Sequence, residues 1–147
     1  MTMKKFKILS INISKKKGEI KTPVNSAVLK ANHGIVGDAH AGDWHRQVSF
    51  LAQEDIDTII AKGMDISYGD FAENITTEGI DWPSLPVGSK FTIDNSELEL
   101  TQIGKECHSR CAIYEKTGDC VMPKKGIFAK VLKGGEINNE STGTYNL

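Results

Sequence analysis

The stretch Phe91-Thr-Ile-Asp-Asn-Ser-Glu-Leu-Glu-Leu-Thr-Gln-Ile103 decides the fold. Apolar and polar residues alternate on both sides of a short polar turn, which is the pattern of two half-buried strands that form a hairpin. The run Phe6-Lys-Ile-Leu-Ser-Ile-Asn-Ile13 alternates in the same way. Because many short antiparallel strands must hide their edges, the sequence predicts a mainly β fold with a closed or nearly closed β-barrel. We expect Leu98, Leu100 and either Ile8 or Ile13 to share its core.

Two segments have the spacing of short helices. The first covers about residues 53–62, where three isoleucines share one face, the first turn is acidic and Gly63 follows the end. The second covers residues 127–132, where four apolar residues recur at helical spacing before Gly134-Gly135. The chain shows no internal repeat or linker, so we expect one domain over residues 1–147.

Composition is that of an ordinary globular protein. The chain has 147 residues, with 39% hydrophobic and 25% charged residues. No apolar run approaches the roughly 20 residues of a membrane span, and the N-terminal residues do not lead into a signal-peptide core. Three cysteines are an odd number, which argues against a disulfide framework. We therefore expect a cytoplasmic protein with no membrane partner.

Charge is distributed unevenly along the chain. Residues 1–30 hold eight lysines against one glutamate, although the net charge of the whole chain is −1. A solvated basic hairpin is the simpler interpretation, and a basic rim for an anionic ligand is the functional one. Nucleic acid is not an expected partner, because the basic segment has no interleaved aromatic residues beyond Phe6 and no recognisable nucleic-acid-binding motif.

All three cysteines lie within residues 104–120, directly after the alternating run. Cys107 and Cys111 flank His108 and Arg110, whose positive charge favours the thiolate form. A thiolate attacks electrophiles, carries sulfur or binds a soft metal, so Cys107 and Cys111 are the candidate catalytic and metal-ligating residues. Zinc is a weaker interpretation because the spacings of four and nine residues contain no CxxC pair. Cys120 precedes Val-Met-Pro and fits a buried, inert thiol.

Two further polar segments are candidates for ligand binding. The glycine-rich loop of residues 34–48 carries Asp38, His40, His45 and Arg46, which could bind a ligand or merely satisfy backbone groups. The second segment, residues 68–77, offers amide and hydroxyl groups that can hold a heterocycle or a phosphate, but polar strand ends are common. The candidates in this second segment are Phe71, Asn74 and Thr76.

The ordered set of motifs resembles a small stand-alone MOSC domain, the module at the C-terminus of molybdenum-cofactor sulfurases. The matching segments are Gly34-Ile-Val-Gly-Asp-Ala-His-Ala-Gly with residues 45–49, Gly69-Asp-Phe-Ala-Glu-Asn-Ile-Thr-Thr with residues 78–80, Leu85-Pro-Val-Gly, residues 98–108, and residues 120–123 with 126–132. They extend from about residue 8 to residue 137, nearly the whole chain. No single segment identifies the family, whereas the complete set of segments in this order is specific for it.

The resemblance implies a distorted β-barrel with a few short helices, in a cytoplasmic bacterial protein. It also implies a cysteine that carries sulfur or ligates molybdenum. Small members place this cysteine at the position of Cys107, whereas larger members have an Arg-Cys pair that matches Arg110-Cys111. The pair Phe71 and Asn74 is similar to residues near the cofactor of larger members. The chain lacks their pyridoxal-phosphate domain, so it is not expected to bind pyridoxal phosphate or to generate sulfane sulfur.

We therefore expect a sulfur-carrier or molybdenum-cofactor (molybdopterin) binding domain. A cysteine desulfurase or another protein of molybdenum-cofactor synthesis would be its partner, and His108, Arg110 and Arg46 would stabilise the thiolate and the phosphate of the cofactor. The alternatives are a non-catalytic module that senses metal or pterin, and a thiol-dependent reductase of N-oxygenated compounds. Because the polar, glycine-rich segments accompany a cationic thiol in so small a chain, we also expect at least one of Cys107 and Cys111 to share a concave surface with a residue of segment 34–46 or 69–77.

Overall fold

The computed structural model describes residues 3–16, 20–104 and 125–146. The helical elements are α1 (Gln53–Ile60) and one 3-10 turn (Trp82–Ser84). The strands are β1 (Met3–Ile13), β2 (Thr22–Val24), β3 (Ser26–Lys30), β4 (Gly34–Ile35), β5 (Val48–Ala52), β6 (Ile75–Glu78), β7 (Lys90–Ile93), β8 (Ser96–Ile103), β9 (Ile127–Lys133), β10 (Gly135–Asn138) and β11 (Thr142–Asn146). The predicted mainly β fold is confirmed.

Seven strands close into a barrel. Their order is β1, β11, β7, β8, β9, β5 and β6, and β6 pairs with β1 to complete the ring. Within this ring only β5 and β6 are parallel, and α1 lies in the connection between them. The strand β2 pairs with the end of β1, while β10, β3 and β4 form a small second sheet. Closure removes the free edges that a flat sheet of this size would expose.

The alternating sequence pattern packs the interior as expected. Ile8, Leu98 and Leu100 are buried in one cluster, which confirms the prediction for the core. Phe6, Trp82 and Phe91 pack edge to face in the same cluster, with ring centroids 5.0–6.3 Å apart. Such aromatic pairs add stability beyond the burial of their surface. The predicted hairpin is also observed, since β7 and β8 pair antiparallel across Asp94 and Asn95.

The second predicted helix is wrong, because residues 127–133 form the strand β9 between β5 and β8. Both faces of β9 are covered. Ile127, Ala129 and Val131 face the barrel core, whereas Phe128 packs outside the barrel against Ile56 and its neighbours. Apolar residues on both faces of a strand produce the same spacing as one face of a helix, which explains the error.

The first predicted helix is confirmed as α1, two residues shorter than expected. Ile56 and Ile59 are buried against Leu51 of β5, and the acidic side chains Glu54 and Asp55 occupy the first turn. No helix in the described part of the chain combines the length and apolar character that a membrane crossing requires.

Strand register brings five strand ends together at one end of the barrel. Ile11 near the end of β1 is opposite Ile75 at the start of β6, and Ile75 is opposite Phe50 of β5. Phe50 is in turn opposite Ile127, which begins β9, and Ile127 is opposite Ile103 at the end of β8. We call this end, where β1 and β8 stop and β5, β6 and β9 start, the polar end.

Candidate functional site

Lys21 is the centre of a buried polar cluster at the polar end. Only 1% of the residue is exposed. Its ammonium donates hydrogen bonds to Asp38 Oδ1 at 2.8 Å and to Ser14 Oγ at 3.1 Å, and it lies 3.0 Å from His40 Nδ1. An ammonium has three protons, so these three partners satisfy it completely.

Asp38 connects this ammonium to the surrounding backbone. Its Oδ1 also accepts the amide of Ser14 at 3.1 Å, and its Oδ2 accepts the amide of His40 at 3.1 Å. Burial alone would raise the pKa of Asp38, but the hydrogen bond and charge of Lys21, with hydrogen bonds from Ser14 and Asn74, hold the pKa below its ordinary value. Asp38 is therefore the buried counter-ion of Lys21.

A second network of buried amides and hydroxyls joins β1, β5 and β6. Asn74 Oδ1 accepts the amide of Ser49 at 2.9 Å, and Asn74 Nδ2 donates to the carbonyl of Asn12 at 3.1 Å. Asn12 Nδ2 reaches Thr76 Oγ1 at 3.3 Å. Asn74 and Thr76, two predicted binding residues, are thus fully buried and bonded to neighbouring strands.

Glu73 is the buried carboxyl of this network. Its Oε2 accepts the hydroxyl of Thr76 at 2.9 Å, and its Oε1 accepts the amide of Phe71 at 3.2 Å. Burial raises the pKa of Glu73, and the hydrogen bonds to Thr76 and to the backbone offset this effect only partly. Phe71 itself packs beside Phe128 in the apolar cluster under α1.

Arg46 and His45 line the part of the polar end where β8 stops. Both side chains contact Gln102 Oε1, at 3.1 Å from Arg46 Nε and 2.9 Å from His45 Nε2. The Arg46 guanidinium also lies 5.1 Å from the centre of the Phe128 ring. These contacts fix the guanidinium in one orientation, which suits bidentate binding of an anion.

The chain leaves and re-enters the barrel beside Arg46. The amide of Gly104 donates to the carbonyl of Gly126 at 2.6 Å, and the side chain of Gln102 donates to the carbonyl of Gly104 at 2.8 Å. The segment between these glycines contains the remaining predicted site residues. Cys107, His108, Arg110, Cys111 and Cys120 all lie outside the described residues. The shared concave surface expected for Cys107 or Cys111 therefore stays a prediction.

The donor set of the polar end fits an anionic group. The guanidinium of Arg46 and the imidazole of His45 are groups that bind phosphate, including the phosphate of molybdopterin, whereas the ammonium of Lys21 is already fully bonded. Within residues 3–16, 20–104 and 125–146, no three His, Cys, Asp or Glu side chains are grouped to hold a metal ion. The soft ligands that molybdenum prefers would have to come from the cysteine segment.

Sequence reasoning missed Lys21, Glu73 and Gln102. Lys21 belongs to the lysine-rich segment of residues 1–30, and no local signal distinguishes it there because its partner Asp38 is 17 residues away. Glu73 had a usable signal in the sequence, since it stands among the apolar residues of Phe71-Ala-Glu-Asn-Ile75. Gln102 could have been recognised as a polar residue close to the end of an alternating strand.

Comparisons with known proteins agree with this architecture. The sequence model of the MOSC domain matches residues 37–142. No curated protein sequence matches the chain closely enough to count as a relative.

Several solved structures are similar in fold, and three of them overlap with this chain as follows. YuaD from Bacillus subtilis has a TM-score of 0.81 at 18% identity, over 97% of this chain and 96% of its own. YiiM from Geobacillus stearothermophilus has a TM-score of 0.70 at 19% identity, over 97% of this chain and 75% of its own. YiiM from Escherichia coli has a TM-score of 0.70 at 13% identity, over 98% and 70%. At these identities the likeness concerns the fold.

Proposed function

Because the chain belongs to the MOSC domain family, we propose that its polar end is a sulfur-carrier or molybdenum-cofactor-binding site built around a cysteine of segment 105–124. The cysteine would hold sulfur as a persulfide or ligate molybdenum. Arg46 and His45 would hold the anionic part of the bound group. A bound molybdenum cofactor would supply the redox chemistry that the side chains of this chain lack.

One observation carries the proposal: the cysteine segment is attached at both ends to the polar end of the barrel. Gly104 and Gly126 are hydrogen-bonded to each other next to Gln102, which contacts Arg46. Three residues of extended chain reach at most about 11 Å, so covalent geometry keeps the Cα of Cys107 within that distance of the Cα of Gly104. Cys111, seven residues away, can reach about 25 Å. The tether therefore favours Cys107.

The sulfur-transfer step needs only a thiolate and a donor persulfide. The cysteine thiolate attacks the outer sulfur of the donor, a new S–S bond forms, and the S–S bond of the donor breaks. The donor leaves as a thiolate, and the proton of its persulfide stays with the transferred sulfur. A guanidinium close to the thiolate increases the fraction that can attack. The chain would accept sulfur from a separate cysteine desulfurase, in a cytoplasm that keeps its three thiols reduced.

The proposal is tested by loading the purified protein with sulfur. We expect incubation with a cysteine desulfurase and cysteine to add one sulfur atom, detected by intact mass and reversed by dithiothreitol. Cys107→Ser and Cys111→Ser should each lower sulfur or cofactor loading, and Cys120→Ser is the matched control that should load normally. Protein from a host that makes the cofactor should also be assayed for molybdenum. Loading lost only in Cys120→Ser, or no sulfur and no molybdenum in the wild type, would exclude this function.

A further inference from the structure

We propose that Gln102 is a positioning residue for a phosphate-binding site at Arg46, because its neutral amide oxygen holds the guanidinium in place without neutralising it. The expected ligand is a phosphate group, either as a free ion or as a monoester. This role rests on the function proposed above and deepens it, since it states what Arg46 binds and why the site keeps its positive charge.

A β-bulge brings Gln102 to Arg46. Leu100 is buried in the core, and strict alternation along β8 would place Gln102 on the same face. In the structure Leu100 is opposite Ala129. Gln102, two positions later, is opposite the adjacent Phe128, so β8 contains one extra residue here. Because opposite residues share a face of the sheet, Gln102 lies on the side of Phe128, where the Arg46 guanidinium packs.

The contacts of Gln102 determine the orientation of its amide. Its Nε2 lies 2.8 Å from the carbonyl oxygen of Gly104, which can only accept a hydrogen bond. The other end of the amide lies 3.1 Å from Arg46 Nε, which can only donate. The atom that faces Arg46 is therefore the carbonyl oxygen Oε1. His45 Nε2, 2.9 Å from the same oxygen, must also donate to it.

A neutral partner leaves the charge of Arg46 uncompensated. Among residues 3–16, 20–104 and 125–146, no carboxylate forms an ion pair with Arg46. Gln102 accepts from Nε, so the two terminal nitrogens of the guanidinium can present parallel N–H groups to a phosphate. Arg46 is half-buried, and its charge is therefore screened less by water than that of an exposed side chain. A phosphate group supplies the negative charge that this site lacks.

A glutamate at position 102 would close the site. Its carboxylate has nearly the shape of the Gln102 amide and would accept hydrogen bonds from Arg46 and His45, forming an ion pair that cancels the positive charge. It would also repel an incoming phosphate. We expect Gln102→Glu to lower phosphate affinity at least about tenfold, which is the size of one hydrogen bond between charged groups.

Titration of the full-length protein with inorganic phosphate and, separately, with methyl phosphate tests this role. Calorimetry measures affinity, and nuclear magnetic resonance of 15N-arginine-labelled protein follows the Arg46 Nε–H signal. We expect the wild type to bind with a shift of this signal and Gln102→Glu to bind at least about tenfold more weakly. Asn95→Asp is the matched control, because it makes the same chemical change in the exposed turn at the other end of β8. It should bind as the wild type does.

Gln102→Met distinguishes the charge of the site from its stability. Methionine has a similar length and makes no hydrogen bond to Arg46, so the guanidinium keeps its charge and loses its orientation. We expect phosphate affinity to fall less than in Gln102→Glu, whichever variant is less stable to urea. Equal affinity in wild type and folded Gln102→Glu, or a greater loss in Gln102→Met, would overturn the proposal. A wild type that binds neither compound, or binds without a shift of the Arg46 signal, overturns it even where Gln102→Glu fails to fold.

The two compounds also identify the source of the phosphate. Binding of methyl phosphate supports a monoester, as in the cofactor, and binding of inorganic phosphate alone supports the free ion. Normal sulfur loading in the wild type with unchanged phosphate affinity in Gln102→Glu would reject the role of Gln102 and keep the proposed function. Phosphate binding that is lost in Gln102→Glu, with neither sulfur nor molybdenum loading in the wild type, would reject that function and keep the phosphate site.

Discussion

At the scale of single residues, the buried groups of the polar end have opposite responses to pH. Asp38 has a lowered pKa, so its contribution to stability is present at neutral pH and is lost as the pH falls through its folded-state pKa. Glu73 has a raised pKa, so the folded protein binds its proton more tightly than the unfolded chain does. Its contribution is present below about pH 4.5 and is lost as the pH rises through the folded-state pKa.

The raised pKa of Glu73 gives a prediction for the stability of Glu73→Gln. The glutamine side chain cannot ionise. Its carboxamide can still accept from the backbone amide of Phe71 and donate to the hydroxyl of Thr76. We expect its free energy of unfolding to fall less than that of the wild type as the pH rises from about 4.5 to about 8. Urea unfolding across this range measures the difference, with Glu78→Gln on the exposed end of β6 as the control. If the free energy of unfolding changed with pH in the same way for the wild type and Glu73→Gln, the raised pKa of Glu73 would be contradicted.

A second prediction concerns the buried ion pair itself. Lys21→Met removes the cation and leaves the Asp38 carboxylate buried without its partner. Breaking one side of a buried pair costs about 3–5 kcal/mol of stability. Lys7→Met should change stability by less than about 0.5 kcal/mol, because Lys7 is exposed. Chemical unfolding distinguishes the two, and equal stabilities would show that Lys21 is not structurally required.

At the scale of elements, residues 67–74 dock on the junction of β1 and β2 through Gly69. The amide of Lys21 donates to the carbonyl of Gly69 at 3.0 Å, and Gly69 adopts a φ of +90°. A methyl group on Gly69 would overlap the carbonyl oxygen of Lys21. Gly63 adopts a similar φ of +96°, but there a methyl group meets no atom of the described residues within 4 Å.

Gly63 and Gly69 therefore share a similar φ and differ in the space available to a methyl group, so their alanine variants can be compared directly. Gly63→Ala carries only the conformational cost of a left-handed residue, about 1–2 kcal/mol. Gly69→Ala carries that cost and must also separate the loop from Lys21, so we expect it to destabilise the protein by at least about 1 kcal/mol more. Thermal or chemical unfolding of both variants measures this difference. Equal destabilisation would mean that the loop does not require its close contact with Lys21.

The elements also show where sequence reasoning succeeds. The hairpin of β7 and β8 was predictable because one face of each strand is more exposed and the alternation survives. The strand β9 was not, because Phe128 packs under α1 while Ile127 and Ala129 fill the barrel. For the site, the loop residues Asp38, His40 and Arg46 were found as polar residues in a glycine-rich segment. Their buried partner Lys21 was not found, because only the closed barrel brings distant segments together.

At the scale of the whole molecule, the proposed binding site lies away from the aromatic cluster that stabilises the barrel. Phe91 belongs to the aromatic cluster and pairs with Leu98, which lies five positions before Ile103 on β8. This distance is about 16 Å along the strand. Arg46 lies at the polar end and contacts Gln102. The two positions therefore belong to different parts of one rigid ring, and substitutions at each should have different consequences.

We expect Phe91→Leu to lower the free energy of unfolding by about 1–3 kcal/mol, because it removes edge-to-face contacts with Trp82 and Phe6. Sulfur or cofactor loading per folded molecule should be unchanged. Arg46→Leu should have the opposite profile, because leucine still packs on Phe128 whereas the charge proposed to hold the anion is lost. Its stability should change by less than about 1 kcal/mol while loading falls at least about tenfold. Unfolding curves and loading assays on the same samples measure both properties. Impaired loading in folded Phe91→Leu would show that the aromatic core controls the geometry of the polar end, and the barrel would then act as one coupled unit.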